Sequence, residues 1–224
     1  MTQTITIGPD ALICPEIRNN VGESPVWDAG SACWAWIDQA GRAFRLDASS
    51  GAVRSWRLPE RIGSMVLRPD GHMVCSCETG IFDVMLGEGE DAEITRLASV
   101  AHPLAGMRFN DGRCDRQGRL WVSSMVMDIS LGEPAGRWYR YTRAEGLQPS
   151  EFDDFVIPNR SAFSPDGKTF YCSDTHRDRR MLWAFDYDTD SGWIGNKRAF
   201  ADLRNAGGRP DGAAVDVDGC YWIC

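Results

Sequence analysis

Four side chains with oxygen donors stand at a nearly fixed distance before a turn glycine. They are Glu23, Asn110, Asn159 and Asp211. The distance is eight residues for the last three and seven for Glu23, whose turn is one residue shorter. Asn and Asp also favour strand starts and turns for local reasons. Four donors in one register nevertheless indicate a common site, and carboxylate and amide oxygens are the ligands that hard divalent cations prefer.

The turn glycines mark a repeated unit. They are Gly30, Gly71, Gly118, Gly167 and Gly219, at spacings of 41, 47, 49 and 52 residues. Each is flanked by short strand-like runs, as in residues 159–172, where Pro165-Asp166-Gly167 forms the turn between two strands. A period of 40–50 residues with four short strands per unit is typical of a β-propeller. We predict an all-β propeller of four-stranded antiparallel blades.

The first strand of each propeller blade lines the central channel, so the four donors are expected at one channel mouth. The register places Gly63 at the corresponding point of the second unit. The fifth unit begins at Ala213, and the sequence stops at Cys224 inside its second strand, after about four and a half blades. We therefore expect residues 1–224 to form a single propeller domain that is C-terminally incomplete. Residues 1–20 would supply one strand of the last blade.

Composition excludes several classes of partner. The net charge is −8 with no run of Lys or Arg, which argues against nucleic acid and anionic membranes. No apolar stretch approaches the roughly 20 residues that span a bilayer, and the first residues do not resemble a signal peptide, so we expect a cytoplasmic protein. The eight Cys include no CxxC pair and are expected to be buried reduced thiols.

Four segments resemble successive motifs of the regucalcin (senescence marker protein 30)/gluconolactonase family. They are Glu23-Ser24-Pro25-Val26-Trp27, Arg108-Phe109-Asn110-Asp111-Gly112, Ser164-Pro165-Asp166-Gly167-Lys168-Thr169-Phe170-Tyr171 and Arg209-Pro210-Asp211-Gly212. The resemblance runs over residues 21–224 in the same order. It implies a six-bladed propeller with one divalent metal ion in the channel and, in many members, hydrolysis of sugar lactones.

The resemblance also assigns roles to individual residues. It implies that Glu23, Asn159 and Asp211 bind the metal ion, and that Asp211 is also the candidate general base. Arg108 and Asn110 would contact the substrate, and Asp128 falls where the family often has an acidic substrate-binding residue.

The chain departs from the family pattern beside its metal-binding Asn. Members usually have Gly after that residue, whereas this chain has Arg160, which bears on substrate identity. Asp174 is a second carboxylate that could accept a proton from the attacking water.

We predict a metal-dependent hydrolase that opens a sugar lactone to the sugar acid. Two alternatives stay open, a calcium-binding or otherwise non-catalytic propeller and an arylesterase- or phosphotriesterase-like propeller. Oxygen ligands suit Ca²⁺, Mg²⁺ or Mn²⁺, and Zn²⁺ also binds such sites. Among these we favour Ca²⁺ or Zn²⁺. The expected partner is a small sugar lactone, and the chain is expected to be a monomer or a weak homo-oligomer.

Overall fold

The computed structural model describes residues 16–209 and 211–224. Its strands form four complete meanders and the first two strands of a fifth. The bounds of the first two meanders are β1 Gly22–Asp28, β2 Cys33–Asp38, β3 Arg42–Asp47, β4 Val53–Arg57, β5 Ile62–Leu67, β6 Met73–Cys77, β7 Gly80–Leu86 and β8 Ala92–Ser99. The others are β9 Met107–Cys114, β10 Leu120–Val126, β11 Trp138–Thr142, β12 Gly146–Pro149, β13 Pro158–Phe163, β14 Thr169–Asp174, β15 Met181–Tyr187, β16 Ile194–Asp202, β17 Ala213–Val215 and β18 Tyr221–Ile223.

All neighbouring strands within a meander pair antiparallel. The first strands of successive meanders contact one another, β1 with β5, β5 with β9, β9 with β13 and β13 with β17. These strands therefore form the inner ring of a propeller, and the predicted all-β fold with four-stranded antiparallel blades is confirmed. The strand predicted from residues 1–20 falls mostly outside the described residues.

The hydrophobic core lies between neighbouring blades. Ile37 and Met65 share one cluster between the first two blades, and Trp138 and Phe170 share another between the third and fourth. The blades therefore stack face to face through apolar side chains that alternate along the strands. The described thiols are free, and Cys75 and Cys172 are fully buried as predicted, whereas Cys220 and Cys224 are exposed. Within the described residues, no helix is long and apolar enough to cross a membrane.

The turns follow the sequence pattern with one exception. Gly71, Gly118, Gly167 and Gly219 have φ between 72° and 86°, the left-handed region that glycine adopts without steric cost. In the first blade this conformation falls on Ala32 instead, with φ 52°, because that turn is shorter.

Gly63 explains why the second blade has no oxygen donor in the shared register. A Cβ atom built on this residue would lie 2.3 Å from the carbonyl oxygen of Phe109 and 2.8 Å from the backbone nitrogen of Asn110. The inner strands β5 and β9 therefore approach too closely here for any other residue.

Candidate metal centre and substrate site

The strand pairing of each complete blade shifts at the shared register position, which holds a predicted donor in three blades and Gly63 in the second. The pairing of the inner strand with its neighbour is irregular after Glu23, at Gly63, after Phe109 and after Asn159. Bulges of this kind redirect side chains out of the regular alternation. The inner strands of the complete blades therefore share this irregularity at one level of the channel.

Asn159 and Asp211 meet across the boundary between the fourth and fifth blades. The Asn159 Nδ2 donates to Asp211 Oδ1 at 2.5 Å, and the Asn159 Oδ1 accepts from the backbone N–H of Arg160 at 3.0 Å. The carboxylate of Asp211 is exposed, while Asn159 is buried. The two side chains are thus in direct contact although they stand 52 positions apart in the sequence.

Glu23 belongs to the same electrostatic group. Burial and the negative charges of Asp211 and Asp111 together raise the pKa of Glu23 to about 7, against the opposing effect of Arg108. The Gln39 Nε2 donates to Glu23 Oε1 at 3.4 Å. Carboxylates gathered in this way repel one another, and a bound cation would relieve that repulsion.

The donor set fits a hard divalent cation. Glu23 and Asp211 offer carboxylate oxygens, and the Asn159 amide oxygen, which accepts one hydrogen bond, keeps a second lone pair. Within residues 16–209 and 211–224, no group of three or more His, Cys, Asp and Glu side chains could hold a metal ion. A centre at this place would therefore need the amide of Asn159 as its third ligand.

Arg108 and Asn110 form a rigid pair beside these donors. The Arg108 Nη1 donates to Asn110 Oδ1 and to the carbonyl of Phe109, both at 2.8 Å. The Asn110 Nδ2 donates to the carbonyl of Pro158 at 2.9 Å, next to Asn159. Both side chains are buried, and Asn110 is engaged at both ends. Asn110 is thus in register with the other predicted ligands and orients Arg108, while the contact of either side chain with a substrate stays a prediction.

Asp128 lies at the same end of the third blade as Arg108, because β10 ends where β9 begins. Val126 pairs with Met107, and Asp128 follows two residues later. Its exposed carboxylate accepts from the backbone N–H of Ser130 at 3.0 Å and from Ser130 Oγ at 2.5 Å, which lowers its pKa. These bonds start a single 3-10 turn, Ile129–Leu131. Its contact with a sugar stays a prediction.

Asp174 has a structural task. Its carboxylate accepts from the backbone N–H groups of Val156, Ile157 and His176 at 2.7–3.0 Å. Asp38 does the same in the first blade, for the N–H groups of Asn20, Val21 and Ala40. Each Asp thereby fixes the chain that enters its inner strand, so we do not assign Asp174 as a proton acceptor.

The sequence assigned no role to Asp111, a residue of the third blade whose carboxylate accepts hydrogen bonds from the fourth blade. Its Oδ2 accepts from the backbone N–H of Ser161 at 2.6 Å and from Ser161 Oγ at 2.7 Å. Burial raises the pKa of Asp111, although these hydrogen bonds oppose the shift. Ser161 lies inside the bulge that follows Asn159. In the sequence, Asp111 is recognisable as an acidic residue directly after Asn110, one of the four oxygen-bearing residues in the shared register.

We expect Asp111→Ala to destabilise the fold by about 1–3 kcal/mol, because it leaves the N–H and hydroxyl of Ser161 without their acceptor. Ser161→Ala should cost less, since it removes only one of the two bonds. Urea unfolding of both single variants and the double variant would measure the coupling. Strictly additive losses would contradict a direct brace.

The pKa of Glu23 predicts how the stability of the cation-free protein depends on pH. The folded value of about 7 exceeds the ordinary 4.5, so the folded state binds this proton more tightly than the unfolded state. The resulting stabilisation is complete below pH 4.5 and is lost as the pH rises to about 7. Melting curves in chelator should show this loss, and Glu23→Gln should remove it. An identical pH profile in the variant would refute the assignment.

Comparison with known proteins identifies the family of the chain. Residues 21–224 match the family described as SMP-30/Gluconolactonase/LRE-like region. The chain belongs to this family. The SMP-30/gluconolactonase membership predicted from the four motifs is therefore confirmed.

Two curated relatives and one solved structure illustrate the match. The chain is 36% identical to 6-deoxy-6-sulfogluconolactonase of Pseudomonas putida, over 90% of this chain and 67% of that protein. It is 32% identical to regucalcin of Gallus gallus, over 92% and 68%. The crystal structure of a calcium-binding protein, regucalcin, from Agrobacterium tumefaciens superposes with a TM-score of 0.83 and 28% identity, over 93% and 68%. The chain thus spans about two thirds of the length of these family members.

Proposed function

We propose that this protein is a hydrolase of sugar lactones that uses one divalent cation in its channel. The observation that carries the proposal is the meeting of Asn159 with Asp211, in one electrostatic group with Glu23 and Arg108. A family relative named 6-deoxy-6-sulfogluconolactonase supports the substrate class. The repulsion between carboxylates supports the cation.

Glu23, Asn159 and Asp211 would hold the cation through oxygen atoms alone. When bound, the cation would supply Lewis-acid polarisation of the lactone carbonyl. The donor chemistry is compatible with Ca²⁺, Mg²⁺, Mn²⁺ and Zn²⁺, and we favour Ca²⁺ or Zn²⁺. A relative described as a calcium-binding protein favours Ca²⁺.

The side chains around this centre would orient the substrate and transfer a proton from the attacking water. Arg108, held by Asn110, presents a buried guanidinium to ring or hydroxyl oxygens, and Asp128 would accept from a hydroxyl at the rim. Asp211 would take a proton from water as the water oxygen bonds to the carbonyl carbon. The ring C–O bond then breaks, and the proton passes to the departing ring oxygen, giving the open hydroxy acid.

Acid release from aldonolactones tests the proposal. We expect turnover by the cation-loaded protein, loss after chelation, and recovery on addition of Ca²⁺, Zn²⁺, Mg²⁺ or Mn²⁺ to different extents. The substrate panel should include aryl esters and organophosphates, which we expect to be poor substrates. Unchanged turnover after complete removal of metal would refute the cation dependence.

A calcium-binding propeller without catalysis is the second candidate. The calcium-binding description of the related regucalcin favours it. Tight cation binding with no turnover of any lactone would establish it. Against it stands the Arg108–Asn110 pair, since a purely structural metal site has no need of a buried guanidinium beside its ligands.

A further inference from the structure

Arg160 is a buried charge in an unusual backbone conformation, directly after Asn159. Its side chain is 0% exposed, which is rare for Arg. Its φ is 66°, in the left-handed region that favours glycine. A long cation at such a position costs both backbone strain and desolvation, so its contacts indicate its role.

Both ends of Arg160 reach the fifth blade beside Asp211. Its Nη2 donates to the carbonyl of Cys224 at 3.3 Å, and the backbone N–H of Asp211 donates to that same oxygen at 3.1 Å. The hydroxyl of Tyr221 donates to the Arg160 carbonyl at 2.7 Å. The guanidinium is therefore fixed next to the residue that supplies a carboxylate to the candidate metal centre.

The guanidinium is poorly compensated. Within the described part of the chain, its buried Nε and Nη1 atoms have no hydrogen-bond partner. Burial lowers the pKa of Arg160, and the negative charge of Asp211 opposes this shift. An Arg stays protonated even under such burial. Asp211 is thus electrostatically shared between Arg160 and any cation held by Glu23 and Asn159.

We propose that Arg160 is a built-in positive charge that lowers the affinity of the Glu23–Asn159–Asp211 centre for divalent cations. This inference depends on the proposed function, because it presupposes that the centre binds a cation. The cause is direct, since the fixed charge repels the bound ion across a poorly solvated region and partly neutralises one of its ligands. The effect falls on a divalent ion twice as strongly as on a monovalent one.

A different role for the same contacts has the opposite consequence. If Arg160 served mainly to strap the fourth blade to the fifth, its removal would loosen the Asn159–Asp211 contact and weaken cation binding. Among the described residues, the Arg160 side chain makes one hydrogen bond, and its length of 3.3 Å makes this the smaller effect. Substitutions that keep or remove the charge of Arg160 distinguish its electrostatic role from a role in holding the two blades together.

Calorimetric titration of the chelator-treated full chain with CaCl₂ tests the inference. We expect Arg160→Met and Arg160→Gln to bind Ca²⁺ about 10-fold more tightly, which corresponds to about 1.4 kcal/mol. Arg160→Lys keeps the charge and should stay within about 2-fold of the unmodified chain. Circular dichroism and melting curves would show whether each variant is folded. If Arg160→Met does not fold, Arg160→Gln provides the uncharged variant for the titration.

The outcomes separate this inference from the function on which it depends. Ca²⁺ binding that is unchanged or weaker in both uncharged variants overturns the role of Arg160 and leaves the metal centre intact. Tightening in Arg160→Lys equal to that in Arg160→Met also overturns it, because the charge would then be irrelevant. An unmodified chain that binds neither Ca²⁺ nor Zn²⁺ overturns the proposed function, and this inference with it.

Discussion

Glu23→Gln is expected to weaken divalent cation binding by at least about 100-fold and to lower lactone turnover accordingly, because it removes one of two charged ligands. Asp211→Asn should be the more severe change, since Asp211 is both ligand and proposed base. Excess cation should therefore restore much of the activity of Glu23→Gln, whereas kcat of Asp211→Asn should stay low. Calorimetry and acid release measured over a range of cation concentrations would distinguish the two.

Asp47→Asn is a charge-matched control for both variants. Asp47 ends β3, at the opposite end of the blade from Glu23, and within the described residues its carboxylate bonds to Ser49 and Ser50 of its own turn alone. We expect its cation affinity and turnover to match those of the unmodified chain. Wild-type activity in Glu23→Gln without added cation would rule out the proposed centre.

Gly63→Ala is expected to destabilise the fold by about 3 kcal/mol, the upper range for an overpacked site. The new Cβ would meet the Phe109 carbonyl oxygen at 2.3 Å, and both partners belong to inner strands that cannot move without separating two blades. For a chain of this length the melting temperature should fall by roughly 6–12 °C. Because the clash also touches the backbone nitrogen of Asn110, cation-loaded turnover should fall as well.

Gly89→Ala provides the matched control. A Cβ at Gly89 would have nothing within 4 Å, and its φ lies outside the left-handed region. We expect its stability to stay within about 0.5 kcal/mol of the unmodified chain. Equal melting temperatures for the two Ala variants would mean that β5 and β9 do not approach as closely as described.

The sequence alone determined the repeated architecture and predicted the level of the site in the channel. Turn glycines and alternating strand residues are local signals, so the blades and the inner strands could be placed from them. The same signals put Glu23, Asn159 and Asp211 in one register. The family motifs added Arg108 and Asn110 as a substrate pair, which the structure brings together through a direct hydrogen bond.

The tertiary structure decided what each side chain in that register does. Asn110 lies in the shared register, but its amide oxygen accepts from Arg108 and its amide nitrogen donates to the Pro158 carbonyl. Asp174, a candidate base by sequence, is engaged by three backbone N–H groups. These outcomes depend on distances between strands that lie far apart in the chain. Composition and spacing do not encode them.

The residues around Asn159 show most clearly what the sequence determines and what only the tertiary structure decides. The sequence predicted Asn159 at the channel mouth and showed that Arg160 follows it, but it did not indicate where the guanidinium lies. Only the packing of the fourth blade against the fifth gives Arg160 its left-handed backbone and buries its charge beside Asp211. The reason is physical, because burial and electrostatic coupling are properties of neighbours in space, and here those neighbours are 51–64 residues apart.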